Sequence, residues 1–270
     1  MPVGQGGVNM DFSKNKKLKL TDREIMSEIE PLRLKSARMG WSGFALIILS
    51  VTALIVVGTK EILIADNVAL TIVPLLVFLA LGIMLAVLSF RLSKKVSVFV
   101  KENLICHLLD EAFEVETYEH NSFLKADAVA QPRFIDGWRY CVGSDYLKGK
   151  YKGLKFQFSD VRLYYTYTSS DSDGHSTTHE RDVFLGQWFI FDYDGELPLN
   201  PATDEIKWLN RRKKPIFYIG QANGQTHVAM YSSNNFFEVN SLSETKNLDS
   251  LREKFQAEIK KMHELMDLFV

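Results

Sequence analysis

Cysteine is scarce: the 270 residues hold two, Cys106 and Cys141, with no CxxC spacing. That gives no reason to expect a disulfide framework and makes a poor structural zinc site. An excess of one charge is lacking too, since 32 Lys and Arg face 33 Asp and Glu for a net of −1. This excludes a histone-like or polyanion-coating protein, whose affinity rests on a large cationic surplus, so no nucleic acid is expected as a partner. Catalytic signatures are also missing. Gly143 to Gly149 lacks the Gly-Lys-Ser/Thr ending of a phosphate loop, and neither a GxSxG elbow nor an HExxH helix occurs. His107, His120, His227 and His263 stand without an acid or nucleophile at diagnostic spacing. No catalytic residue and no cofactor is expected. The strand and helix signals do not alternate as βαβ units, which argues against a Rossmann-type domain.

What is abundant is uncharged apolar chain between positions 41 and 90. Trp41 to Gly58 is eighteen residues without a charge, and Val68 to Phe90 is twenty-three with fifteen Leu, Ile, Val or Phe. A helix needs about 20 residues at roughly 1.5 Å each to cross a hydrocarbon layer of about 30 Å. Each such residue near the bilayer centre contributes about −0.3 to −0.6 kcal/mol, so the second span gains about −4 to −9 kcal/mol on insertion. The first has ten such residues and carries Ser42, Ser50 and Thr52, making it the weaker span. A cleaved signal peptide does not fit an apolar run that begins forty residues in and lacks a small-x-small cleavage site. Pro74 inside the second span is tolerable in lipid, where freed carbonyls are re-satisfied locally.

The nine-residue link Thr59 to Asn67 forces the two spans antiparallel. Arg23, Arg33, Lys35 and Arg38 precede the first span, and Arg91, Lys94, Lys95 and Lys101 follow the second, against Lys60 alone in the link. Eight basic residues against one predict that both flanks, and both termini, are cytoplasmic. The expected location is a bacterial inner membrane, crossed by the hairpin 41–58 and 68–90, with Trp41 as an interfacial anchor and the bilayer as the first partner.

Residues 1–40 read as a basic tail followed by an interfacial helix. Thr21 and Glu24 form a capping box, Ile25, Ile29 and Leu32 share a face, and Pro31 predicts a break. After Phe90, Val96, Phe99, Val100, Leu104, Leu108, Leu109 and Ala112 continue a helical period, predicting a cytoplasmic helix over 91–113. Residues 114–270 read as a β-rich domain. Leu154, Phe156 and Phe158 alternate with polar residues, and so do Val161, Leu163, Tyr165 and Tyr167, which predicts two half-buried strands. Val183 to Phe191 predicts a central strand covered on both faces, and Asn223-Gly224 predicts a hairpin between Ile216–Ile219 and Thr226–Tyr231. Leu248, Leu251, Phe255, Ile259, Met262, Met266 and Phe269 trace one stripe of a helix over 245–269. Such a stripe packs on its own domain or on an oligomeric or protein partner. The fold class is thus an α+β membrane protein: an N-terminal transmembrane hairpin, then a cytoplasmic antiparallel sheet with a C-terminal amphipathic helix, of the pleckstrin-homology kind. Residues 114–270 carry 19 basic and 23 acidic residues, leaving a net of +3 on residues 1–113 beside the membrane.

Two segments carry candidate binding residues. Ser169 to Asp182 places Asp171, Asp173 and Glu180 near calcium-loop positions, and His175 and His179 stand four apart. Against a metal site, Ser occupies the first loop position and strands flank the segment, so a polar hairpin explains the same residues. Arg211, Arg212, Lys213 and Lys214 follow Trp208-Leu209 and form a candidate contact with an anionic membrane surface, or an ordinary solvated loop before Pro215.

Further residues carry a resemblance. Asp145-Tyr146 is an acidic–aromatic pair, Gly149 follows, and the strand Phe156-Gln157-Phe158 ends in Ser159-Asp160-Val161. Thr177-Thr178-His179 then precede Phe184-Leu185-Gly186 and a strand ending Phe191-Asp192-Tyr193, with Asn235-Phe236-Phe237-Glu238 near the end. This pattern resembles the bacterial two-helix membrane family of unknown function called domain of unknown function 3137. It covers roughly residues 100–195 and, more weakly, 225–270. Gln187-Trp188 replaces an apolar–aromatic pair of that family, and the stretch from Asp192 to Pro215 is shorter than usual. The resemblance implies two membrane helices and a β domain, and brings no activity or catalytic residues.

The expected function is a non-catalytic protein- or lipid-interaction module on an integral inner-membrane protein, with a protein partner or a second copy of the chain as its companion. The alternatives are a membrane-tethered metal-dependent hydrolase using His175, His179 and neighbouring carboxylates, and a structural subunit of a membrane complex.

Overall fold

The computed structural model describes residues 20–59, 68–170, 175–199, 217–239 and 242–270. The described chain divides into two compact units, one containing 20–103 and 239–248, the other 104–238 and 249–270.

The first unit is a helical hairpin of α1 (Asp22–Thr59) and α2 (Val68–Val100). Thr21 opens α1 as its side chain suggests. Its backbone N–H donates to Glu24 Oε2 at 2.7 Å, and the Glu24 N–H donates back to Thr21 Oγ1 at 3.4 Å. The break expected at Pro31 does not occur, and α1 runs through it as one 38-residue helix. Proline removes a single N–H, and the fully buried Ile25 and Ile29 beside it hold the helical path.

The two helices meet through small and hydroxylated residues. Ser36 Oγ donates to the Ser89 carbonyl at 2.9 Å and lies 2.9 Å from Ser93 Oγ, while Ser89 Oγ donates to the Ser36 carbonyl at 2.8 Å. About two helical turns further on, a Cβ at Gly43 would stand 2.8 Å from the Gly82 carbonyl oxygen. Glycine is therefore required for the backbones to approach this closely.

Beyond α2 the chain makes a π-helical turn, Lys101–Ile105, and continues as α3 (Cys106–Ala112). The second unit is built on a six-stranded antiparallel sheet in the order β1-β2-β3-β4-β6-β5. Its strands are β1 (Glu114–Glu119), β2 (Tyr140–Tyr151), β3 (Leu154–Ser170), β4 (Ser176–Phe191), β5 (Phe217–Ala222) and β6 (Gln225–Tyr231). The short helix α4 (Ala126–Ala130) lies between β1 and β2, and α5 (Leu248–Met266) ends the chain. Asn223 and Gly224 take φ of 53° and 74°, as a two-residue turn joining β5 to β6 demands.

Both halves of the alternating pattern expected as two strands belong to the single strand β3. Apolar parity flips between Phe158 and Val161 because the core changes sides of the sheet. Phe156 and Phe158 point to the same face as Phe189 and Phe191, where Phe158 also meets Phe236 and Phe237. Val161 and Leu163 point to the other face, into a cluster with Leu124, Val129, Phe184, Trp188 and Ile190. At the flip, Ser159 and Asp160 are both buried. The stripe of α5 is buried within its own chain: Phe255 meets Phe237 at 6.2 Å between ring centroids, and Phe269 beyond its end meets Phe191 at 4.6 Å.

Candidate functional site

Three features concentrate chemistry: a projecting ribbon, a buried polar network and the apolar outer surface of the helical hairpin.

β3 and β4 outrun their neighbours. The pairing of β2 with β3 ends at Tyr140↔Tyr164, and that of β6 with β4 ends at Tyr231↔Gly186. Past those points Tyr165 to Ser170 and Ser176 to Arg181 pair only with each other, as a two-stranded ribbon. Tyr and Thr suit such a strand, where cross-strand pairs such as Tyr167↔His179 and Thr168↔Thr178 support the pairing. On one face of the ribbon, Tyr167 stacks on His179 at 5.2 Å, and Ser169 Oγ shares a 2.8 Å hydrogen bond with His179 Nε2. At the base of the ribbon, Arg162 donates to Asp182 at 2.7 Å and to Glu180 at 2.8 Å. Its guanidinium also lies 4.6 Å from the ring centroid of Tyr164, which stacks on Tyr140. Tyr140 and Tyr167 are 46% and 48% exposed, so this edge presents aromatic surface to its surroundings.

The ribbon also carries the candidate metal ligands. Asp171 and Asp173 lie outside the described residues. His179 and Glu180 are neighbours on an extended strand and point to opposite faces, with Glu180 held by Arg162. Among the described residues no group of three His, Cys, Asp or Glu side chains is arranged to hold a metal ion. Arg211, Arg212, Lys213 and Lys214 also lie outside the described residues.

The buried network begins at the parity flip of β3. Asp160 Oδ1 accepts from Gln187 Nε2 at 2.9 Å, and Oδ2 accepts from the Phe236 backbone N–H at 2.9 Å. Gln187 Nε2 also donates to the Asn234 carbonyl. Glu258 of α5 accepts from the next backbone N–H, that of Phe237, at 2.8 Å. Lys254 Nζ donates to the Glu238 carbonyl at 2.6 Å. Four side chains thus hold the backbone from Asn234 to Glu238. Phe237 sits at φ 56°, a left-handed conformation that costs a bulky residue of order 1–3 kcal/mol and persists only when its surroundings dictate it. Asp145 repeats the arrangement in the β2 bulge, at φ 58°, where its carboxylate accepts from Tyr118 Oη at 2.6 Å.

Burial sets the ionisation of these groups. Desolvation raises Glu258, opposed by the Phe237 N–H. Tyr118 is pushed well above the ordinary phenol value by burial and by the adjacent Asp145 charge. His227, fully buried with Nδ1 facing Trp188 Nε1 at 3.4 Å, is drawn down to about 4 by desolvation. Burial pushes the Cys141 thiol up to about 11, which suits a packing residue and disfavours a nucleophile.

The sequence marks Asp145 only in the acidic–aromatic pair Asp145-Tyr146, and its patterns do not single out Tyr118 or Glu258. A signal existed for the last: Glu258 falls three residues after Phe255, on the apolar stripe, where a carboxylate needs a partner. The structure also brings together Ser159-Asp160-Val161, Gln187 and Asn235-Phe236-Phe237-Glu238, which the sequence separates by up to 79 positions.

The outer surface of the helical hairpin is apolar. Trp41, Phe44, Leu49, Ile55, Val77, Met84 and Phe90 are exposed, Trp41 by 74% and Phe90 by 71%. Both helices are long and apolar enough to cross a membrane, and only 11% and 6% of their most apolar windows are buried. A soluble core helix would be mostly covered.

No protein-family model, curated protein or solved structure matches this chain.

Proposed function

We propose that the protein is a membrane-anchored, non-catalytic interaction module. The helical hairpin crosses a bacterial inner membrane, both termini lie in the cytoplasm, and the sheet unit engages a protein partner through its β3–β4 ribbon. The observation that carries the membrane part is the exposed apolar surface of α1 and α2, where Trp41, Phe44, Leu49, Val77, Met84 and Phe90 are all exposed, whereas a soluble monomer rarely exposes a large contiguous apolar patch. The interaction part is supported by Tyr140, Tyr167 and the free backbone edges of the ribbon, since exposed tyrosines and unpaired strand edges are favoured binding surfaces. The non-catalytic reading is supported by the engagement of Asp160, Glu258, Glu180 and His179 in contacts within the protein. The residues resembling the two-helix family of unknown function are consistent with this organisation.

The test uses the full chain in bacterial cells. A photo-crosslinking amino acid at position 167 is expected to yield one dominant protein adduct in the alkaline-washed membrane fraction, reduced by Tyr140→Ser. Release of the protein by the alkaline wash refutes the membrane part. Membrane retention without any adduct at positions 140, 167 or 179 refutes the ribbon as the docking edge.

A further inference from the structure

We propose that the polar end of the helical hairpin is a collar that binds the headgroup phosphates of anionic phospholipids. This rests on the membrane reading above and adds a lipid preference to it. The two basic clusters are 53 residues or more apart in sequence, and the serine contacts bring them level. Ser36 meets Ser89 and Ser93, so Arg33, Lys35 and Arg38 of α1 stand beside Arg91, Lys94 and Lys95 of α2. At about 1.5 Å per residue the six cations occupy a band roughly 9 Å tall. A headgroup layer is of comparable thickness, roughly 5–8 Å per leaflet.

The band itself holds no carboxylate. No Asp or Glu occurs from position 31 to 59 or from 68 to 101. Arg33 has a long contact with Glu30, at 3.8 Å, while Lys35, Arg38, Arg91, Lys94 and Lys95 are exposed and make no ion pair among the described residues. Each side of the band adjoins an exposed aromatic: Trp41 lies one turn beyond Arg38, and Phe90 lies one turn before Lys94. A ligand that fits must present a phosphate to the cations and hydrocarbon to the surface just beyond them. A phospholipid carries both groups in that order, and a net negative charge distinguishes the anionic classes.

The experiment reconstitutes the full chain in phosphatidylcholine vesicles containing trace spin-labelled phosphatidylglycerol or spin-labelled phosphatidylcholine. Electron paramagnetic resonance then reads the protein-restricted fraction of each label. The phosphatidylglycerol label is expected to associate about threefold to fivefold more strongly at low salt, about the effect of one well-placed cation, and to lose that preference at high salt. The variant R38Q/R91Q/K94Q/K95Q is expected to bring the ratio near one, and R38K/R91K to retain the preference. Equal restriction of both labels by the wild-type chain overturns the collar while leaving the membrane reading intact. Absence of a restricted component for either label overturns both.

Discussion

Asp160 accepts a hydrogen bond from the backbone N–H of Phe236, 76 residues further along the chain, at 2.9 Å. The contact lies where β3 changes its buried face, and it fixes the segment that leaves β6. A carboxylate only 2% exposed is costly in itself, so its value lies in satisfying two donors that would otherwise be orphaned.

Asp160→Ala leaves the Gln187 amide and the Phe236 N–H without that acceptor. The expected loss is about 2–4 kcal/mol in urea unfolding of the detergent-solubilised chain. Asp160→Asn keeps one acceptor oxygen and is expected to lose about half as much. Equal stability of Asp160→Ala and wild type contradicts this role.

Glu258 is an acid that burial holds above the ordinary carboxyl value of 4.5 in the folded chain. Its stabilising contribution is complete below the unfolded value and declines as pH rises through the folded one. Glu258→Gln keeps an acceptor for the Phe237 N–H and never ionises. Its stability relative to wild type is therefore expected to improve between pH 4 and pH 7. Glu258→Ala is expected to be less stable at both, by about 1–3 kcal/mol, because the Phe237 donor is stranded.

His227 has the opposite sign. It is neutral in the folded chain down to about 4, against an ordinary imidazole value of 6.5, so the unfolded chain takes up the proton first. Between pH 6.5 and pH 4 it lowers stability progressively, by up to about 3 kcal/mol. His227→Phe is expected to flatten the stability–pH curve over that window, measured by thermal unfolding at closely spaced pH values. An unchanged slope rules out His227 as the titrating group.

Gly43→Leu inserts a side chain where a Cβ already falls 2.8 Å from the Gly82 carbonyl. The hairpin is expected to weaken by about 1–3 kcal/mol, read as a lower melting temperature in detergent. Ala45→Leu, at an exposed position two residues away, is expected to leave it unchanged. If the two variants melt alike, the close helix contact is not what holds the pair together.

Much of the fold is legible in the residues themselves. The capping box at Thr21, the Asn223-Gly224 turn and the α5 stripe each rest on chemistry confined to a few neighbouring positions. The π-helical turn at Lys101 to Ile105 has no comparable local signature. Pro31 and β3 mislead for related reasons. A proline signals what its own peptide unit loses and carries no information on the packing of Ile25 and Ile29. A flip in apolar parity signals a change of buried face, which a strand break and a continuous strand produce equally well.

The two long apolar helices, the antiparallel β-rich unit and the amphipathic last helix can be read from the residues alone, because periodicity and hydrophobicity act over a few successive positions. That Asp160 and Glu258 hold one buried turn, and that Ser36 brings the basic cluster at Arg38 beside the one at Arg91, emerges from the folded chain alone. Those arrangements depend on which distant positions the fold brings within hydrogen-bonding or Coulombic reach, and spacing along the chain does not encode that distance.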